Sequence, residues 1–165
     1  MNLYAETSAV LAWLFGEAEG RDVGRLLAES EIVLASELTF MEVDRLLVRR
    51  EATGHLSEAA RLGIRSMLSS TSAAWEVLGL VPDVLERARR RFPIEPVRTL
   101  DAIHLASALA CREAAPGLGF LSLDRRCRAN AAKLGLRVLP GLGLEVKEPS
   151  ARRPAPHRTG TARKK

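Results

Sequence analysis

The sequence predicts one α/β domain in three layers, a central parallel sheet with helices on both faces. Three observations carry that reading. Short apolar segments alternate along the chain with longer stretches of helical pattern. The short segments are apolar throughout, as strands buried on both faces are, rather than alternating in polarity. The stretches between them are long enough for the crossover helix that parallel pairing requires.

The elements follow in order. Residues 2–5 (NLYA) form the first strand, which ends at Glu6-Thr7-Ser8. Residues 9–16 and 21–30 are helical. Residues 32–35 are a compact β-branched and apolar run, a buried strand. Residues 38–50 form a helix capped by Ser36 or Thr39, and residues 57–70 a second long helix capped by Ser57. Residues 75–80 (WEVLGL) are a strand. Pro82 opens a helix that runs to Arg91 and stops at Phe92-Pro93. Residues 100–113 are a strongly apolar helix behind Thr99. Residues 119–123 (GFLSL) form a strand, residues 125–134 a helix ended by Gly135, and residues 137–139 the last strand.

Composition narrows the class. The 165 residues are 47% apolar and 27% charged, as expected of one globular domain. No apolar run reaches membrane-spanning length, so no membrane association is expected. The first residues lack a basic stretch and include Glu6, unlike a secretory leader. Cys111 and Cys127, the only cysteines, are too few for a disulfide framework or a zinc site and fit a reducing cytoplasm. No glycine-rich phosphate loop is present, which argues against a nucleotide cofactor.

The net charge of +5 is misleading. Of 25 basic and 20 acidic residues, six basic and one acidic fall in residues 148–165, which leaves 19 of each in residues 1–147. The folded domain is therefore expected over 1–147. A basic tail without large apolar residues, 148–165, is expected to be disordered.

Four acids stand where the pattern calls for apolar groups. Asp101 lies in TLDAIHLASALA, in line with Leu105 and Leu109. Glu42 lies in LTFMEVDRLLV, one turn from Leu38 and Leu46. Glu6 and Asp124 directly follow apolar strands, and ligands bind at the carboxyl ends of parallel strands. Four acids from four segments therefore point to one edge. Carboxylates without a cysteine or histidine cluster suit a hard cation such as Mg²⁺, an ion that promotes phosphodiester hydrolysis. Each acid also has a plainer explanation. Glu42 has capping-box spacing from Thr39. Asp101 suits the start of a helix. Asp124 fits a turn beside Arg125 and Arg126.

The blocks YAETSAVLAWL, LTFMEVDRLL, RTLDAIHLASAL and FLSLDRRCRANAAKLG resemble the four successive motifs of PIN-domain ribonucleases, and most of all the VapC-type toxins of bacterial toxin–antitoxin systems. The resemblance runs from Asn2 to about Leu139. It implies a PIN-like parallel sheet flanked by helices and Mg²⁺- or Mn²⁺-dependent cleavage of RNA. It also implies a small antitoxin partner and a homodimer. By motif, Glu6, Glu42, Asp101 and Asp124 are the metal-binding and catalytic acids. The first motif usually carries Asp, and Glu6 shifts the carboxylate by about 1.5 Å. Two alternatives stand beside a toxin nuclease: a non-catalytic PIN-like module that binds RNA or protein, and an RNA-processing nuclease without a toxin role.

Among secondary candidates, His104 lies one turn past Asp101 and reads as a packed histidine or as a group that orients a carboxylate. Thr7 and Ser8 either cap the next helix or bond the site. Arg125 and Arg126 are surface charges or phosphate contacts. Trp13 and Trp75 read as core. The apolar run 9–15 would offer a groove for a partner segment.

Overall fold

In the computed structural model, which describes residues 1–141, five strands form one all-parallel sheet in the order β3-β2-β1-β4-β5. The elements are β1 (Asn2–Ala5), α1 (Thr7–Leu14), α2 (Gly20–Ala28), β2 (Ile32–Ser36), α3 (Glu37–Ala52), α4 (Glu58–Ser72), β3 (Glu76–Leu78), α5 (Pro82–Ala88), α6 (Thr99–Ala114), β4 (Gly119–Leu121), α7 (Arg125–Lys133) and β5 (Arg137–Leu139). The tail 148–165, expected to be disordered, lies outside the described residues.

Alternation along each strand builds the three layers. Leu3, Ala5, Val33 and Leu121 pack into one apolar cluster with residues of α1, α2, α3 and α4. Tyr4, Leu34 and Phe120 point the other way, into a second cluster with residues of α6 and α7. Both faces of the sheet are thus covered, as its unbroken apolar strands require. Close packing sets local residue choice. A Cβ on Gly119 would stand 2.7 Å from Leu139 Cδ1 and 2.9 Å from Leu3 Cδ2, so a larger residue there would displace the ends of both leucine side chains. A Cβ on Gly20 would lie 2.2 Å from the Ala12 carbonyl, where α2 crosses α1.

Several boundaries differ from expectation for identifiable reasons. The first helix begins two residues early, at Thr7, because the Glu6 side chain caps it. The helix after Pro82 ends at Ala88 rather than Arg91. Past its end, Phe92 is buried against the second cluster under the Arg87 guanidinium, 4.3 Å from the ring centroid. The segment after it is pinned by Asn130, which accepts from Ile94 N (2.9 Å) and donates to the Ile94 carbonyl (3.0 Å). That clamp sets the approach to α6 and hence the position of Asp101. The apolar run 9–15 is consumed by the core: Ala9, Val10, Ala12 and Leu14 are buried, and Trp13 and Phe15 pack on the cluster. Its half-buried members reach the surface, Leu11 lining a groove beside Glu42 and Trp13 a second one beside Gly24 and Trp75.

Leu105 is fully buried in α6, against the sheet face that carries Tyr4 and Phe120. Leu105→Ala is expected to lower stability by about 2–5 kcal/mol. The shift in urea midpoint, at unchanged slope, measures it.

Candidate metal centre

The strand order reverses between β1 and β4. Successive strands run outward from β1 to β2 and β3, then return to its other side. A crevice opens at the carboxyl ends of the two strands where such a reversal occurs. Glu6 directly follows β1, and Asp124 stands three residues past β4.

Both acids cap helices. One Glu6 oxygen, Oε2, accepts from Ser8 N (3.1 Å), from the Ser8 hydroxyl and from Ser122 Oγ (2.8 Å). Asp124 Oδ1 accepts from Arg126 N (2.8 Å) and Cys127 N (2.9 Å) at the start of α7. Ser8 Oγ in turn accepts from Leu123 N (2.9 Å) and Asp124 N (3.0 Å), which stitches the β4–α7 turn to α1. Two helix N-termini, each with partial positive charge, therefore face the same crevice.

The helical acids reach it from two sides. Asp101 lies in the first turn of α6, from one face of the sheet, and Glu42 comes from α3 on the other. The capping-box explanation of Glu42 fails: Ser36 caps α3, accepting from Leu38 N, while the buried Thr39 hydroxyl donates to the Ala5 carbonyl. Glu42 Oε2 instead accepts from Thr7 Oγ1 (2.5 Å) and His104 Nε2 (2.8 Å). The ligand atoms of Asp101, Asp124 and Cys127 all lie within 4.8 Å of one another. Glu6 Oε1 is 4.0 Å from His104 Nε2. Asp101 and Asp124 are thus in direct proximity, and Glu6 and Glu42 are joined to each other through His104.

His104 is packed in the interior between the acids. It is almost fully buried, and its two ring nitrogens serve different partners. Burial pushes the Tyr4 phenol well above its ordinary range, so it stays protonated, and its hydroxyl lies 3.0 Å from His104 Nδ1. The other ring nitrogen, Nε2, faces Glu42 Oε2 (2.8 Å) and Thr7 Oγ1 (2.9 Å). A buried hydrogen-bonded chain, Tyr4 to His104 to Glu42, therefore fixes the Glu42 carboxylate.

The acids divide by how well their charge is offset. Burial works against the Glu42 charge, but hydrogen bonds from His104 and Thr7 outweigh it and hold this carboxyl below its usual value. Burial pushes Glu6 up, against the pull of His104 and the serine hydrogen bonds. Burial raises Asp101, and the neighbouring Asp124 charge raises it further. Asp101 Oδ2 is buried and has no hydrogen-bond partner. An unpartnered buried carboxylate oxygen beside a second carboxylate fits a hard cation. The Cys127 thiol is pushed far up by burial, then by the charges of Glu6, Asp101, Asp124 and Glu42. All four acids thus act on one buried sulfur. It remains a neutral thiol, a poor donor for such an ion, and the oxygen ligands remain as the candidates.

Nothing in the spacing of Cys127 marks its place among the acids. Ser122 carries a sequence signal, a hydroxyl directly after the apolar strand β4. Arg125 and Arg126 are exposed at the start of α7.

With this geometry established, the family follows. The PIN domain family model matches residues 3–136, and the chain belongs to that family. It is 29% identical over 138 residues to Ribonuclease VapC45 of Mycobacterium tuberculosis (strain CDC 1551 / Oshkosh), across 84% of this chain and 94% of that protein. The crystal structure of Mycobacterium tuberculosis VapC20, a sarcin-ricin loop cleaving toxin, matches with a TM-score of 0.56 at 20% identity, over 78% of this chain and 94% of that one. VapBC2 from Rickettsia felis, solved bound to a DNA fragment from its promoter, matches with a TM-score of 0.56 at 11% identity, over 84% and 97%. At these identities the two structures show the fold alone. No helix among the described residues is long and apolar enough to cross a membrane.

Two predictions follow from the electrostatics. The raised Asp101 carboxyl means that the folded state holds its proton more tightly than the unfolded chain. Its contribution to stability is present at acid pH and is lost as pH rises from 3.8 through the folded value. Asp101→Asn removes that loss. In EDTA at pH 7 the variant is expected to melt at or above the wild type, and the gap should close below pH 3.8. Added Mn²⁺ should raise the melting temperature of the wild type and leave the variant unmoved. Tyr4→Phe removes the hydrogen-bond partner of a buried nitrogen at nearly constant shape, and should cost about 1–3 kcal/mol in urea unfolding.

Proposed function

We propose that this protein is an endoribonuclease that uses Mg²⁺, with Mn²⁺ as a substitute, and acts as the toxin of a toxin–antitoxin pair. The buried, unpartnered Asp101 Oδ2 beside Asp124 carries the metal-dependent reading. The 29%-identical relative named a ribonuclease supports the reaction class, and the VapC20 and VapBC2 matches support the toxin role. In this reading the domain of residues 1–147 carries the activity and works as a homodimer held by a small antitoxin in the cytoplasm. The basic tail, 148–165, adds affinity for phosphate.

Asp101 and Asp124 are the residues that would hold the ion, with Glu42 and Glu6 completing the acidic ring. Bound there, the ion would lower the pKa of a water molecule and offset the charge that develops on the scissile phosphate. The chain supplies orientation. Asp124 is held in place by the two backbone amides that donate to its Oδ1. Glu42 is immobilised by Thr7 and His104. Glu6 is braced by Ser8 and Ser122, with Oε1 turned toward His104. This bracing uses the full length of the glutamate.

The test is RNA cleavage by the full chain with Mg²⁺ or with EDTA. Cleavage is expected only with the metal, and Asp101→Asn is expected to reduce it to background while remaining folded. Glu6→Asp withdraws the carboxylate by about one bond, roughly 1.5 Å, from its serine donors. It should lower cleavage at saturating Mg²⁺ even though aspartate is the residue usual in this motif. Faster cleavage by Glu6→Asp would mean that the site is not adjusted to glutamate. Wild-type cleavage in EDTA would overturn the metal-dependent reading.

A further inference from the structure

A groove of about 550 Å³ opens directly beside Glu42 and Thr7 and runs along α3. Leu11, Leu46 and Leu100 line it with apolar groups, and two arginines, Arg45 and Arg49, line it as well. We propose that this groove is the track of the RNA strand on its way to the metal centre, with Arg45 and Arg49 holding its phosphates; the proposal rests on the nuclease reading above.

The distribution of charge on α3 carries the argument. Asp44 pairs with Arg65 of α4 at 2.9 Å, and Glu51 pairs with Arg61 of α4 at 2.8 Å. The paired acids of α3 are thus turned to its neighbour. Arg45 and Arg49 are exposed, and among the described residues neither makes a salt bridge. They stand three and seven residues beyond Glu42, so all three share one face of the helix. Four residues of helix rise about 6 Å, which sets two guanidinium groups in a row leading away from the acid. A guanidinium fork matches phosphate oxygens in geometry as well as charge. The gradient is therefore directional: unpaired cations lead to a carboxylate centre that would itself repel a polyanion. The guanidinium planes themselves offer stacking surfaces to unpaired bases, beside the apolar lining of the groove.

The experiment measures binding and cleavage separately. Binding of a fluorescent single-stranded RNA to the full chain is followed by anisotropy in EDTA, over a series of salt concentrations. Each phosphate contact contributes about 0.7 to the slope of log affinity against log salt. Arg45→Ala and Arg49→Ala are each expected to flatten that slope by about this amount, and the double variant by about twice as much. Arg45→Lys with Arg49→Lys should restore the slope, because the charges return. Arg25→Ala, on α2, removes a charge already paired with Asp22 outside the groove and should leave the slope unchanged. In Mg²⁺ the double alanine variant should show a KM raised about tenfold, with kcat within about twofold of the wild type. An unchanged slope in the double variant would overturn the proposal and leave the groove to a protein segment. A flattened slope with no wild-type cleavage in Mg²⁺ would uphold the RNA track and overturn the nuclease reading.

Discussion

Four carboxylates crowded at the carboxyl ends of β1 and β4 are the constraint around which the rest of the structure is arranged. Like charges in a partly buried crevice repel one another, and burial penalises each of them. The fold offsets part of this cost with hydrogen bonds. Two helix N-termini point at the crevice, and Ser8 and Ser122 together bind Glu6 and the backbone that leads into Asp124. What remains is concentrated on Asp101, the acid with a buried oxygen and no donor. Its charge is the one a cation would neutralise.

The offset is uneven, and the unevenness has a structural origin. Glu42 is served by a hydrogen-bonded chain that begins at Tyr4, a residue of the central strand on the sheet face opposite the α1–α4 cluster. His104 carries that chain from one face of the sheet to an acid on a helix of the other. The same ring stands 4.0 Å from Glu6. One buried imidazole thus couples two helices and the first strand to the site, and its position depends on how α6 packs. Asn130 has a comparable task at longer range. Its amide holds the segment before α6 and so indirectly sets where Asp101 begins its helix.

The centre is negative, whereas the groove wall on α3 is positive. On α3, Asp44 and Glu51 pair with α4, whereas Arg45 and Arg49 line the groove beside Glu42. Sequence spacing alone reads such a helix as an ordinary solvated surface. The cationic wall becomes visible only when the acids are seen to be already occupied.

Much of the fold was determined by the sequence alone. Short unbroken apolar strands and intervening helices specify a parallel sheet covered on both faces, because only burial on both sides tolerates such strands. The four acids were legible for a related reason: Asp101 and Glu42 interrupt apolar rows, and Glu6 and Asp124 end apolar strands. The motif blocks around them carried the family resemblance. Tertiary structure decided the remainder. Whether Thr39 or Ser36 caps α3 depended on Thr39 being buried under the Ala5 carbonyl. That most of the run 9–15 is core depended on α2 crossing it at Gly20. The linking role of His104, the presence of Cys127 among the acids and the free guanidinium groups of α3 all depend on partners distant in sequence. Tyr4 and His104 are 100 residues apart, and Ser8 and Asp124 are 116 apart. Periodicity reports which face of an element is buried, but hydrogen-bond partners and charge neutralisation are set by which elements meet, and that is fixed only when the chain has folded.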